Sequence, residues 1–340
     1  MRVVVTGASG NVGTSLLESL GREPVVDSVL GLARRAPTID LPKVQWASAD
    51  VTDADLAPLF ARADALVHLA WTIQPARQPD LLHAVNVVGT RRVLAAALAA
   101  RVPTVVCASS VGTYSPGSKS SGVPESWPTD GIPTSFYSRH KSDVERQLDR
   151  FEADHPELRV VRLRPALTFK RAAATGVHRL FLGPLVRPWL VDRRFVPVVP
   201  RHSRLVFQAV HTDDVAEAYR LALLGDVRGA FNIAADPVLG PEELGQLLGA
   251  RPIPVSTTLL RLGADLAWRS RLVPTPPGWV DLALAAPIMG TARASRELGW
   301  KPRVTGSDAL VELLAGIRER AAYPTPPLAR GVPVPGSSSA

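Results

Sequence analysis

The stretch MRVVVTGASGNVGTSLLESL, residues 1–20, decides the fold. A β-branched run at residues 3–5 predicts a buried strand, and a periodic apolar segment at residues 12–20 predicts the helix after it. Between them, three glycines are spaced Gly-x-x-Gly-x-x-Gly. Glycine lets backbone amides approach a pyrophosphate at a helix N-terminus, so the stretch predicts a dinucleotide-binding turn, with an ordinary tight turn as the alternative. The predicted contacts in the turn are Gly7, Ser9, Gly10, Asn11, Val12 and Gly13.

The first half of the chain repeats this alternation of strand and helix. Its short apolar runs lack polar alternation, which is typical of strands buried on both faces of a parallel sheet. We therefore predict an α/β fold, a doubly wound parallel sheet of the Rossmann type. The predicted strands are Val3–Val5, Val25–Leu32, Val44–Ala47, Ala65–Leu69, Thr104–Ala108 and Val160–Leu163, and long helices are predicted at Leu81–Ala100 and from Tyr137.

After Pro165 prolines become frequent and apolar runs shorten. Only Asp213–Leu224 and Pro241–Leu248 have a clear helical period there, which indicates a smaller C-terminal substrate lobe. Two runs in this lobe, Val206–Val210 and Ala230–Ile233, are candidates to return to the Rossmann sheet. The predicted organisation is a dinucleotide-binding domain at residues 1–165, the substrate-binding lobe at 166–322, and a Pro-, Gly- and Ser-rich flexible tail at 323–340.

Composition narrows the function classes. Of 340 residues, 46% are hydrophobic and 21% charged, an ordinary globular balance. The net charge of +8 comes from interspersed arginines without a dense basic run, so we predict an anionic small molecule and no nucleic acid as partner. One cysteine, Cys107, rules out an intrachain disulfide, and scattered histidines predict no metal site. The chain starts in a strand, and its most apolar later run, 180–191, is too short to span a bilayer, so we expect a cytoplasmic protein without a membrane partner.

The end of the second predicted strand, LGLARR at residues 30–35, bears on the choice of dinucleotide. An NAD enzyme places a carboxylate there for the ribose 2′-hydroxyl, whereas this chain has Ala33. Arg34 and Arg35 follow and can hold a 2′-phosphate, so NADP is favoured over NAD; a solvated strand end is the alternative. Asp50, after the third strand, is a candidate for the adenine amino group or for a helix cap.

Tyr137 and Lys141 are spaced i, i+4 at the start of a predicted helix and so share one face. A phenol half-ionised at neutral pH needs roughly 4 kcal/mol, and a cation about 5 Å away at an effective dielectric of about 20 supplies roughly 3 kcal/mol. The same spacing also occurs by chance on amphipathic helices. Here, however, the fifth strand ends in Ser109 and Ser110, hydroxyls at the carboxyl edge of the sheet where one can assist proton transfer to a carbonyl.

The order of these motifs resembles the extended short-chain dehydrogenase/reductases, in the NAD(P)-dependent epimerase/dehydratase group. The resemblance also covers His68-Leu69-Ala70, Asn86 to Thr90, His211 to Ala216 and Leu298 to Pro302. It implies Tyr137 as general acid/base, Ser110 as its hydroxyl partner, Lys141 on the nicotinamide ribose lowering the Tyr137 pKa, and a homodimer. The implied cofactor-lining residues beyond the glycine turn and the arginines are Asp50, Val51, Leu69, Ala70, Trp71, Ser109, Tyr137, Lys141, Pro165, Ala166 and Leu167.

Departures from the family pattern limit the choice of reaction. Val111-Gly112 stand where dehydratases carry an Asp-Glu pair, and Phe207 stands where nucleotide-sugar epimerases often carry an arginine. We therefore favour hydride transfer between NADP(H) and a carbonyl or secondary alcohol. The alternatives are a nucleotide-sugar epimerase with a retained cofactor and a non-catalytic NADP-binding regulator. Phe181 and Trp189 favour a bulky apolar substrate; the arginines at 187–204 indicate a solvated face or contact with an acidic substrate.

Overall fold

The computed structural model describes residues 1–183, 185–191 and 194–331, without the side chain of Val191. The strands are β1 (Arg2–Thr6), β2 (Ser28–Ala33), β3 (Val44–Ser48), β4 (Ala65–His68), β5 (Thr104–Ala108), β6 (Arg159–Pro165), β7 (Leu167–Phe169), β8 (Val198–Arg201), β9 (Phe207–His211), β10 (Gly229–Ile233), β11 (Ala235–Leu239) and β12 (Arg251–Pro254). The helices are α1 (Asn11–Gly21), α2 (Ala57–Phe60), α3 (Pro79–His83), α4 (Gly89–Ala99), α5 (Phe136–Asp154), α6 (Ala174–Val177), α7 (Thr212–Leu224), α8 (Pro241–Leu248), α9 (Thr257–Arg269), α10 (Gly278–Ala285), α11 (Ala292–Glu297) and α12 (Gly306–Glu319).

Seven parallel strands form the central sheet in the order β10-β6-β5-β4-β1-β2-β3. Both faces are covered, as the unbroken apolar runs require: Val3 and Val5 of β1 belong to one buried cluster, and Val4 belongs to the cluster on the other face. The predicted doubly wound Rossmann fold is confirmed. The strand order reverses between β1 and β4, where open α/β sheets bind ligands.

One long helical run, residues 79–99, joins α3 and α4 through a wider turn at Ala84–Val88. Its length and hydropathy would suit a membrane span, yet half of the apolar stretch is buried in the fold. Val93, Leu94 and Ala97 pack into the core on one face of the sheet. Packing in the core therefore accounts for the apolar character of this run.

The lobe is more helical than predicted. Besides the two predicted helices it contains α9, α10, α11 and α12. The apolar residues of α9 and α12 do follow a helical period, which the sequence analysis did not identify. Gly229–Ile233 does return to the main sheet, beside β6. Phe207–His211 does not: it pairs with β7 and β11 in a separate three-stranded sheet.

The C-terminal segment, Tyr323–Gly331, differs from the predicted flexible tail. Thr325 is fully buried and donates a hydrogen bond of 2.8 Å to the backbone oxygen of Ser9 in the glycine turn. The Tyr323 hydroxyl donates to Glu18 of α1 at 2.6 Å. Leu328 is also buried, so this proline-rich segment covers apolar surface that composition alone cannot reveal. Residues 332–340 lie outside the described residues.

Candidate functional site

A cavity of about 330 Å³ lies at the carboxyl ends of β1, β2 and β4. The predicted residues that line it are Gly7, Ser9, Gly10, Arg34, Arg35, Asp50, Val51, Leu69, Ala70 and Trp71. Lining residues that the sequence did not reveal include Thr72, Gln74, Arg179, Leu180, Pro326 and Pro327. The last four come from the lobe and the C-terminal segment, which approach the cavity only through the tertiary fold.

The glycine turn has the backbone that a dinucleotide requires. Gly7 has φ +69°, and a Cβ built on it would lie 2.6 Å from the backbone nitrogen of Ala70. A Cβ on Gly13 would lie 2.4 Å from the oxygen of Ala8. Gly10 precedes α1, whose N-terminus has no side-chain cap in the described part of the chain. The cradle therefore fits a pyrophosphate held by helix N-terminal amides.

Several predicted cofactor residues lie outside the lining of this cavity. Asn11 donates to the oxygen of Thr168 at 3.1 Å and accepts from Thr212 at 3.1 Å, so its side chain ties α1 to the lobe. Val12 and Gly13 are in α1, behind the turn. Those at the ends of β5 and β6 and in β7, also away from it, are Ser109, Pro165, Ala166 and Leu167.

Positive charge collects where β2 meets the cavity. Arg34 and Arg35 are exposed and line the cavity beside the buried Ala33. Arg179 of the lobe is a third guanidinium in the lining, and it donates to the backbone oxygen of Pro327. Burial and the nearby charge of Arg35 lower the pKa of Arg179. Asp50 lines the same cavity while its Oδ1 accepts from the backbone and hydroxyl of Thr52, so it also holds a turn.

Helix α5 positions the reaction centre. Ser135 caps its first turn, accepting a hydrogen bond from the nitrogen of Ser138. Tyr137, one residue past the helix start, lies beside Ser110 at the end of β5, since both side chains come within 3.5 Å of the same point next to Gly112. A Cβ at residue 112 would lie 2.7 Å from the Tyr137 ring, so Gly112 permits this close approach. The structure thus brings Ser110 and Tyr137 together, as predicted.

Lys141 follows one turn later and reaches the same place. Its Nζ donates to the oxygen of Ala108 at 2.9 Å and lies 3.5 Å above the centre of the Trp71 ring. Trp71 contacts Tyr137 edge to face, with 5.9 Å between ring centres. Because Trp71 also lines the cavity, it connects the dinucleotide cradle with the reaction centre.

The electrostatics differ from the sequence prediction at Tyr137. Burial raises the pKa of Tyr137, and the neighbouring hydroxyl of Ser110 opposes that shift. The sequence predicted that Lys141 lowers this pKa, and for the protein's own residues that prediction is wrong. Lys141 Nζ lies 5.9 Å from the centre of the phenol ring, and its own lowered pKa reduces its positive charge. Burial lowers the pKa of Lys141 to about 7, although Glu145 acts in the opposite direction. Desolvation, which a sequence does not display, decides both directions.

A buried ionic network supports α5 from below, and sequence reasoning missed it. Glu145 accepts two hydrogen bonds of 2.8 Å from Arg164 and one of 3.0 Å from Arg162, both in β6. Ser109 donates to the same carboxylate. Two signals were available: Glu145 continues the i, i+4 spacing of Tyr137 and Lys141, and two alternating arginines in a buried strand need an acidic partner.

An aromatic wall faces the other side of Tyr137. Trp279 of α10 lies 5.0 Å from the Tyr137 ring centre, and Phe181 lies 5.1 Å from Trp279. Phe181 was singled out in the sequence, while Trp279 had no motif to mark it. Trp189, also singled out, is half exposed and packs on Phe195 away from these rings. Among the described residues, no group of three or more His, Cys, Asp or Glu could hold a metal ion.

Comparison with known proteins places the chain among dinucleotide enzymes. The model of the NAD dependent epimerase/dehydratase family matches residues 3–234. The chain is 29% identical to the 4-hydroxy-2-methyl-3-oxo-4-farnesyl-3,4-dihydroquinoline-1-oxide ketoreductase of Stigmatella aurantiaca, over 91% of this chain and 96% of that protein. It is 23% identical to the decarboxylating sterol-4-alpha-carboxylate 3-dehydrogenase of Saccharomyces cerevisiae, over 93% and 98%.

Among solved structures, the chain is similar in fold to the UDP-glucose 4-epimerase of Thermotoga maritima. The TM-score is 0.69 at 19% identity, over 94% of this chain and 99% of that one. The family match covers more than half of the chain and agrees with the glycine cradle and the sheet order. The protein therefore belongs to the NAD-dependent epimerase/dehydratase family, as an NAD(P)-dependent oxidoreductase or epimerase of the extended short-chain dehydrogenase/reductase type.

Proposed function

We propose that this protein is a cytoplasmic, NADP-dependent oxidoreductase that interconverts a carbonyl and a secondary alcohol on a bulky, apolar, ring-containing substrate. The observation that carries the proposal is the position of Tyr137, which lies beside Ser110 and is flanked by the rings of Trp71 and Trp279. A proton donor set among aromatic rings suits a substrate with a large apolar surface around one polar reacting group.

Two further observations support this substrate class. The indole N–H groups of Trp71 and Trp279 are buried without a hydrogen-bond partner among the described residues, and buried donors of this kind favour a ligand with acceptor atoms. Two relatives are named for a farnesylated quinoline oxide and for sterol carboxylates, which combine a large apolar skeleton with oxygen atoms.

The chain's own residues then divide the work. A nicotinamide supplies or accepts the hydride when bound. Tyr137 Oη donates its proton to the carbonyl oxygen during reduction and takes it back during oxidation, and Ser110 holds that oxygen by a hydrogen bond. Burial raises the Tyr137 pKa, so the phenol carries the proton that reduction consumes. Lys141, held between Ala108 and Trp71, is placed beside the phenol and would hold the nicotinamide ribose.

Three guanidiniums support NADP as the cofactor. Arg34, Arg35 and Arg179 line one cavity, and arginine is well suited to bind a phosphate through paired hydrogen bonds. Ala33 stands where a carboxylate would repel that phosphate.

The test is a substrate panel of polycyclic and terpenoid ketones alongside UDP-sugars, each with NADPH or NADH. We expect ketone reduction with one NADPH consumed per alcohol formed. Isomerised UDP-sugar without net NADPH consumption would instead establish the epimerase, which the shared fold with UDP-glucose 4-epimerase keeps as the second candidate. Binding of NADPH without turnover of any substrate would indicate the regulator, whose function would not require the assembled Ser110–Tyr137–Lys141 set.

Tyr137→Phe tests the proton donor directly. Loss of a general acid typically costs about 10²- to 10⁴-fold in rate. We expect kcat to fall by that range in steady-state assays, while calorimetry finds the NADPH Kd within about twofold of the parent value. Retained turnover would contradict the role given to Tyr137, and a matching loss of NADPH affinity would show that the variant disturbs the cavity instead.

A further inference from the structure

Helix α9 carries an apolar stripe on the outside of the lobe. None of its 13 residues is buried. Leu259, Leu262 and Leu266 are 61%, 61% and 66% exposed, and Leu272 just beyond the helix is 51% exposed. The i, i+3, i+7 spacing puts the three helical leucines on one face. An exposed cluster of large apolar side chains marks a surface that contacts something other than water.

The same part of the lobe is strongly positive. β12 pairs with β8, which joins the segments around residues 185–201 and 251–272. Among the described residues of these two segments, Asp265 is the single acidic side chain, and it pairs with Arg269. Arg261 pairs with Asp281 of α10. The arginines of the two segments are Arg187, Arg194, Arg201, Arg251, Arg261, Arg269 and Arg271.

We propose that the α9 surface, formed by Leu259, Leu262, Leu266 and Leu272 with Arg261, Arg269 and Arg271, docks on an anionic lipid bilayer. A helix of this kind lies flat in the interface, with its leucines among the acyl chains and its arginines at the headgroups. The surplus of arginine argues against a second copy of this chain as the occupant, because two such surfaces repel each other.

The position of α9 relative to the reaction centre connects the membrane contact with substrate entry. α9 packs against α10, which carries Trp279 beside Tyr137. At the end of α9, Trp268 lies 3.7 Å below the guanidinium of Arg77, three residues after the cavity residue Gln74. An apolar substrate dissolved in a bilayer would thus reach the aromatic wall over a short path. This route for the substrate rests on the proposed function, whereas the docking itself does not.

The docking departs from the expectation of a protein without a membrane partner. That expectation rested on the absence of a run long enough to span a bilayer, and a helix that lies on the surface needs no such run.

The test is co-sedimentation with vesicles of phosphatidylcholine containing phosphatidylserine, compared with phosphatidylcholine alone. We expect binding to the anionic vesicles, weaker binding to neutral ones, and loss of binding in high salt. The double variant Leu262→Glu/Leu266→Glu should reduce the bound fraction at least tenfold. Val25→Glu is the matched control, because Val25 is 58% exposed and lies before β2, and it should bind like the parent.

Three outcomes would overturn the proposal. These are no binding to anionic vesicles, equal binding by the double variant, and self-association in sedimentation velocity that the double variant abolishes, which would make a second copy the occupant. NADPH binding and thermal unfolding of each variant show that it is folded, and no turnover is needed, so failure here is separate from failure of the proposed reaction.

Discussion

Two groups of arginines in this molecule have the same side chain and opposite surroundings. Arg162 and Arg164 lie in β6 with side chains 4% and 5% exposed, and Glu145 pairs with both. Arg34 and Arg35 follow β2 at the rim of the cavity, exposed to water. A buried charge must be neutralised within the fold, whereas an exposed charge at a cavity is solvated and can bind a ligand. The difference shows that its surroundings, and not the residue type, decide whether an arginine stabilises the fold or binds a ligand.

The largest effect on this comparison is expected from Glu145→Gln. Removing the carboxylate leaves the buried guanidinium of Arg164 without its anion, whereas Arg162 keeps Asp149 and Glu152. Breaking a buried pair in this way costs about 3 to 5 kcal/mol. Urea denaturation at neutral pH should show that loss in the free energy of unfolding. The matched control is Glu297→Gln, whose carboxylate pairs with Arg293 and Arg296 at the surface and should cost less than about 1 kcal/mol. Equal losses from both variants would contradict the comparison.

The ion pairs of Glu145 with Arg162 and Arg164 also predict how the stability of the fold depends on pH. Burial alone would raise the pKa of Glu145, but Arg164, helped by Arg162 and Ser109, outweighs it and lowers that pKa from 4.5 to about 2. A carboxyl group whose pKa is lowered by folding stabilises the protein above its ordinary pKa, and that contribution is lost as the pH falls through the folded value. The difference in unfolding free energy between the parent and Glu145→Gln should therefore shrink between about pH 4.5 and pH 2. A difference that stays constant over this range would mean that Glu145 is not the group responsible.

An intermediate effect is expected at the exposed arginines. Arg34→Ala removes a charge-assisted contact to the 2′-phosphate, worth about 1.5 to 3 kcal/mol, which is roughly 10- to 100-fold in Kd. Calorimetry should find this loss for NADPH and little change for NADH, with thermal unfolding unaffected. Arg91→Ala on the exposed face of α4 is the control and should change neither affinity. Equal losses for both dinucleotides would overturn the preference for NADP.

The smallest effect is expected where the C-terminal segment meets the glycine turn. Thr325→Val removes one neutral hydrogen bond to Ser9, worth about 1 kcal/mol, so NADPH should bind roughly fivefold more weakly and leave faster in stopped-flow measurements. Thr175→Val is the control. It removes a similar hydrogen bond to the backbone oxygen of Ala321, which lies four residues before Thr325, and it leaves the glycine turn unchanged. Unchanged release from the Thr325 variant would show that the segment covers the cavity without holding it.

The sequence alone predicted the parts of the site that local chemistry specifies. Apolar runs without alternation predicted the strands of the central sheet, and the glycine spacing predicted the cradle, because no other residue fits Gly7 and Gly13. The i, i+4 spacing predicted that Tyr137 and Lys141 share a face of α5. Each of these signals lies within a few residues and reflects backbone geometry or helical period.

Only the tertiary structure decided what surrounds those residues. Trp279 reaches Tyr137 from 142 positions along the chain, and Arg179, Leu180, Pro326 and Pro327 join a cavity whose other walls come from the first half. Burial reversed the predicted pKa direction at Tyr137 and turned Arg162 and Arg164 into structural partners of Glu145. Desolvation and contacts between distant segments depend on how the chain packs as a whole, and no local pattern in a single sequence records them.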